Sequence, residues 1–208
     1  MAIKYVGLAF LPWLAFLTGC GGSIQAAGDI ARGREALFRG NDQAALGYFQ
    51  TAAQTDPNYV FSTDRPEGVG SYLGRAQYLN GQYTEARQTL ENDLSQHPDD
   101  NLSRLYLGLT LVRLNDRQSG LRDIQAGLTG IRDFLNDVTT NAPDLRRRWD
   151  PYRDIRNAIA RALGMIESPN LDWQSLLVLS ERIAVAWEQE PDMARDVGMG
   201  TRGYNLNP

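Results

Sequence analysis

Three stretches of the chain repeat one pattern, and a repeat this short restricts the fold to small units stacked in a row. Residues 28–59 read GDIARGREALFRGNDQAALGYFQTAAQTDPNY, residues 68–100 read GVGSYLGRAQYLNGQYTEARQTLENDLSQHPDD, and residues 101–130 read NLSRLYLGLTLVRLNDRQSGLRDIQAGLTG. Each copy carries apolar residues at helical spacing, passes through a turn, and resumes the spacing. The turns are Gly40-Asn41-Asp42, Asn80-Gly81-Gln82 and Asn115-Asp116-Arg117, residue types that take turn conformations at low cost. Asp56-Pro57 and His97-Pro98 end the second helix of the first two copies, because proline disfavours helix in its predecessor. A single helix–turn–helix of this size cannot bury its apolar face, so the copies must stack. No alternating strand pattern competes anywhere, and the spacing predicts an all-α chain.

Small residues recur at matching places. Gly33, Gly74 and Gly108 are expected where the first helix of each copy meets the second, since a side chain there would push the two apart. Ala45 and Ala86 do the same from the second helix, and Phe49, Leu90 and Ile124 fill the space beside them. Gly74 and Gly108 lie 34 positions apart, Gly33 and Gly74 lie 41 apart, and the surplus falls in Phe61–Glu67. That stretch is read as a loop between copies or as lead-in to the next helix.

These segments resemble tetratricopeptide (TPR) repeats, in which one helix has a small residue at its middle and the next a small-large-small set ending in proline. The resemblance implies a helical-hairpin solenoid of about three repeats over residues 29–139. It also implies that partners bind the face made by the first helices, where Arg34, Phe38, Arg75, Tyr78, Leu109 and Arg113 fall. Three arginines near aromatic residues suit an acidic or carboxylate-bearing peptide segment. Two alternatives stay open: the arginines are solvated or paired internally, or the chain's own C-terminal helices fill the face.

In the third copy Leu121, Ile124, Leu128, Ile131, Phe134 (or Leu135) and Val138 keep helical spacing past the expected stop, which predicts one helix over 118–138. Residues 140–197 are then expected to cap the array, because terminal units must cover its apolar end. Asp150-Pro151 is read as a helix start, with Tyr152, Ile155, Ile159, Leu163 and Ile166 as one stripe. A last helix is predicted over 171–189, and residues 198–208 as a mobile tail.

The N-terminus has a different character. Lys4 precedes an apolar run, Tyr5–Leu17, that ends in Leu17-Thr18-Gly19-Cys20. The run is short for a membrane span, which needs about 20 apolar residues, and it fits a secretory signal. Its last four residues resemble a bacterial lipobox. The resemblance implies that residues 1–19 are removed, that the Cys20 thiol takes a covalent lipid, and that the new amino group is acylated. Gly21 favours the periplasmic face of the outer membrane. Residues 20–28 are then expected to be a flexible tether.

Composition and motifs narrow the chemistry. The 208 residues carry a net charge of −4, so nucleic acid is a poor partner. One cysteine and one histidine leave little for disulfides, metals or acid–base work. No nucleophile elbow, phosphate loop, dinucleotide fingerprint or zinc-protease motif occurs, and His97 is read as a turn residue. No catalytic residue, metal, cofactor or small-molecule substrate is expected. Arg146, Arg147, Arg148 and Trp149 form a basic–aromatic run that suits an anionic surface or, more simply, a solvated face balanced by nearby aspartates. The expected function is a lipid-anchored scaffold or assembly adaptor that binds a protein partner in the envelope. The alternative is a permanent structural subunit of a larger envelope complex.

Overall fold

The computed structural model describes residues 19–61, 67–141, 149–195 and Leu206. They form eight α-helices: α1 Gly19–Phe38, α2 Asp42–Thr55, α3 Val69–Leu79, α4 Tyr83–Gln96, α5 Asn101–Arg113, α6 Arg117–Asn141, α7 Asp154–Ile166 and α8 Trp173–Arg195. Among the described residues there is no strand, only an isolated bridge between Val60 and Gly68. The chain is therefore all-α.

Helices pack in chain order. α1 lies on α2, α3 on α4 and α5 on α6, and each pair touches the next through α2 with α3, α4 with α5, and α3 with α5. The turn inside each pair needs one residue in the left-handed region. Gly40 (φ 73°) and Gly81 (φ 75°) supply it in the first two pairs, and Asn115 (φ 67°) in the third. Asparagine is the side chain that best tolerates this conformation after glycine. The next helix is then capped locally: Asn41 Oδ1 accepts from Ala44 N at 3.1 Å, and Asp116 Oδ1 from Ser119 N at 3.1 Å.

Within each pair the small residues allow close approach. A Cβ on Gly33 would run into the Phe49 ring, and one on Gly74 would stand 2.5 Å from Leu90 Cγ. A Cβ on Gly108 would meet the Ile124 backbone. Phe49, Leu90 and Ile124 are fully buried, as are Ala45 and Ala86.

The buried apolar side chains fall into two clusters. The smaller joins α1, α2 and the first part of α3 through Ile30, Phe49, Val69, Tyr72 and several alanines. The larger begins at Tyr78 and takes in α4 to α8, with Leu105, Leu128, Ile159, Ile183 and Trp187 among its members. α3 belongs to both.

Several boundaries differ from expectation. Residues 20–28 are not a free tether: α1 begins at Gly19, Ala26 is buried, and Ser23 Oγ donates to Asp56 Oδ2 at 2.7 Å. Ala26 and Ile30 give that segment an apolar contact, and tertiary packing overrides its small, polar composition. Residues 62–66 lie outside the described residues, but both ends of the loop are drawn together, with Phe61 N donating to Glu67 O at 3.0 Å and Val69 N to Tyr59 O at 2.9 Å. α6 extends the expected 118–138 helix at both ends, with Leu135 rather than Phe134 fully buried. α7 starts at Asp154 rather than at Pro151, because Asp150 and Arg153 take positive φ (45° and 62°). Asp150 still serves the helix from outside it, accepting from Ile155 N at 3.0 Å and Arg156 N at 3.1 Å. α8 continues through Pro191 to Arg195. In the segment expected as a mobile tail, Leu206 is buried and its carbonyl accepts from Arg161 Nη2 at 2.8 Å; the rest of 198–208 lies outside the described residues.

Candidate partner-binding face

The first helix of each pair carries one arginine toward a common occupant. Arg34 is on α1, Arg75 on α3 and Arg113 on α5, and all three reach α8. Arg113 Nη2 donates to Glu181 Oε1 at 3.0 Å. Tyr78 OH donates to the same oxygen and accepts from Arg113 Nε at 3.2 Å. Two turns further along α8, Glu188 pairs with Arg75 through its carboxylate and accepts at its carbonyl from Arg34 Nη2 at 3.3 Å. Residues seven apart on a helix project from the same side, so Glu181 and Glu188 address the face together.

The electrostatics follow from this burial. Burial first, and then the bond to Glu181, push the Tyr78 hydroxyl well above its ordinary pKa. Tyr78 is therefore a neutral donor. The bond that Arg113 donates to Tyr78 is the main cause that raises the arginine's pKa, and Arg113 holds its charge. Arg75 is nearly fully buried, with its guanidinium 5.7 Å from the centre of the Tyr106 ring. The Arg34 guanidinium lies 4.9 Å from the centre of the Phe61 ring.

Of the six residues expected at a partner groove, four thus bind α8: Arg34, Arg75, Tyr78 and Arg113. Leu109 is fully buried in the larger cluster, and Phe38 is 76% exposed at the end of α1. Of the alternatives left open for this face, the structure has the arginines paired internally with the chain's own last helix, because α8 lies along it. What remains open is a cleft of about 510 Å³ between α1, α3 and α8, walled by Ala31, Leu37, Phe38, Leu79 and Val185, with Arg34, Arg75 and Glu188 also lining it. Glu181 and Glu188 escaped the sequence reading. Their seven-residue spacing, which places both on one side of the predicted helix, was the available signal.

No protein family, curated protein or solved structure matches this chain.

A second polar cluster lies between α3, α4 and α5. Glu67, Asp93 and Asp100 are all buried. Tyr72 OH donates to Glu67 Oε2, and Ser103 Oγ to Asp93 Oδ2, each at 2.7 Å. His97 Nδ1 lies 3.3 Å from Asp93 Oδ1. Asp100 is the N-cap of α5, accepting from Ser103 N at 2.9 Å. Burial, followed by the nearby Glu67 charge, pushes its carboxyl up to about 8. Among the described residues no group of three or more His, Cys, Asp or Glu side chains is placed to hold a metal ion.

The remaining expected sites are divided. Arg146, Arg147 and Arg148 lie outside the described residues. Trp149 is not a surface residue: it is buried, with its ring centre 5.4 Å from Phe134 and 5.7 Å from Trp187. A large aromatic side chain has more to gain in such a stack than in solvent. Arg156 is likewise buried, donating to Leu135 O at 2.8 Å and pairing with Asp150 at 3.4 Å. Residues 1–18 lie outside the described residues. Cys20 stands in the first turn of α1, and its side chain is not among those described. Among the described residues no helix is long and apolar enough to cross a membrane.

Proposed function

We propose that this chain is a TPR-like scaffold held by a lipid on Cys20 at the periplasmic face of the outer membrane, where it binds a protein partner. The observation that carries the binding reading is the convergence of Arg34, Arg75 and Arg113 on two carboxylate-bearing turns of one helix. Such a face engages carboxylates by charge-assisted hydrogen bonds, which are the stronger and more directional kind. The anchoring reading rests on Lys4, the apolar run Tyr5–Leu17 and the sole cysteine that follows it.

Cell fractionation tests the anchor. Cys20→Ser is expected to move the protein from the membrane fraction to the soluble fraction; unchanged membrane retention would rule the lipid out. Crosslinking in intact envelopes, followed by identification of what is joined to the chain, tests the scaffold. A reproducible protein partner is expected, and its absence at every crosslinker position would remove the reading. Exposed Ile24 and Phe38 (76% each) favour a second reading, a subunit built permanently into a larger assembly. That reading expects the purified chain to be insoluble or oligomeric without its partners.

A further inference from the structure

α8 is attached in two different ways. Leu176, Leu177, Ile183 and Trp187 build it into the larger apolar cluster, where it packs on α5, α6 and α7. Toward α1 and the middle of α3 its ties are polar: Arg34 on the Glu188 carbonyl and Arg75 on the Glu188 carboxylate. This second attachment is incomplete. Arg75 Nε and Glu188 Oε1 have no hydrogen-bond partner among the described residues, although both side chains are more than nine-tenths buried. The open cleft begins at the same point, with Phe38 76% and Val185 37% exposed beside it.

The geometry points to this cleft as a docking site for an acidic segment of a partner protein, with Glu188 as its built-in competitor. The partner's carboxylate takes the place of the Glu188 carboxylate on Arg75, and an adjacent apolar side chain lies against Phe38, Leu79 and Val185. Charge decides the class. A buried guanidinium left without a counter-charge is strongly unfavourable, so the group that exchanges with Glu188 must be anionic, and in an unmodified protein segment that group is a carboxylate. The apolar wall then separates acidic–apolar segments from merely acidic ones. The cleft volume lies within the range of about 300–1,000 Å³ usual for binding pockets, which admits a few residues rather than a whole helix. α8 accordingly keeps its place in the core while the Glu188 side chain swings. The proposal rests on the scaffold reading and adds the partner's chemistry and a threshold for its entry.

The test uses the full purified chain and a fluorescein-labelled peptide that copies its own Ala184–Gln189, read by fluorescence anisotropy. Glu188→Gln is expected to bind this peptide about tenfold more tightly than the unaltered chain, because the internal competitor has lost its charge. The same peptide with glutamine in place of its glutamate is expected to lose about tenfold. Equal affinity of the unaltered and Glu188→Gln chains, with helical content intact, would overturn the competition. Equal binding of the glutamine peptide would overturn carboxylate recognition. If Glu188→Gln does not fold, Phe38→Asp on the exposed wall gives the answer, and undiminished peptide binding there would sink the site. A Glu188→Gln chain that sediments as a dimer would assign the cleft to a second copy instead of a partner. Envelope crosslinks that survive in Phe38→Asp would leave the scaffold standing and reject the cleft alone.

Discussion

At the scale of single residues, Gly74 shows how little room the helix pairs leave. A methyl group there would stand 2.5 Å from Leu90 Cγ, and Leu90 is itself fully buried. Gly74→Ala gains helix propensity of about 1 kcal/mol but overpacks a closed contact, which costs about 1–3 kcal/mol. Net destabilisation by urea unfolding is the expected outcome. These small-large contacts were legible in the sequence, since Gly33 with Phe49, Gly74 with Leu90 and Gly108 with Ile124 repeat at fixed offsets. The carboxyl cluster was not. Asp100 announces itself as a helix cap, but nothing in its neighbours along the chain says that Glu67 and Asp93 fold against it. Its folded pKa of about 8 stands far above the unfolded value of about 3.9. The native state therefore favours the protonated acid. The stability this group contributes is complete below pH 4 and is lost as pH rises through 8. Unfolding free energy measured across that window is expected to fall with rising pH, and Asp100→Asn to flatten the decline. Asparagine retains an acceptor for Ser103 N while removing the titration.

At the scale of elements, α8 is the helix whose role depends most on the rest of the fold. Its apolar run Leu176–Leu179 is buried at three positions and half-buried at the fourth, so the helix is covered on more than one side. Its direction across α1, α3 and α5 could not be read, because no local pattern encodes which helix a distant arginine will meet. The same limit explains the ends. α1 starts earlier than composition suggests because α2 offers it a surface, and α8 passes Pro191, where a local rule would end it. The Arg75–Glu188 pair gives a direct measurement of how these elements hold together. Removing one partner of a buried ion pair leaves a charge unmatched and costs about 3–5 kcal/mol, whereas replacing both by apolar residues of similar size is often neutral or stabilising. Chemical denaturation of Glu188→Ala should show a loss of that order. The double variant Arg75→Met, Glu188→Leu should recover most of it. Additive losses would mean that the two side chains do not depend on each other.

At the scale of the molecule, the two apolar clusters set an order of unfolding. The smaller is rich in alanine, with Ala26, Ala36, Ala45, Ala52 and Ala76 among its buried members, and alanine buries less area than leucine or isoleucine. The larger holds most of the leucines and both described indole-stacked tryptophans, Trp149 and Trp187. Hydrogen exchange is expected to show α1 and α2 opening at lower free energy than α5 and α6. Equal protection throughout would indicate a single cooperative unit. The all-α class and the pairing of helices up to α6 followed from periodicity and turns. The division into two clusters did not, since it arises where α3 changes partners between Ala76 and Tyr78. The early start of α1 also bears on where the protein works. From Cys20 to Ala26, the first of the described side chains to be buried, is about 9 Å of helix at about 1.5 Å per residue. With a lipid on Cys20, the repeats would lie within a short reach of the bilayer. They would search for partners in two dimensions and favour those held close to the same lipid surface.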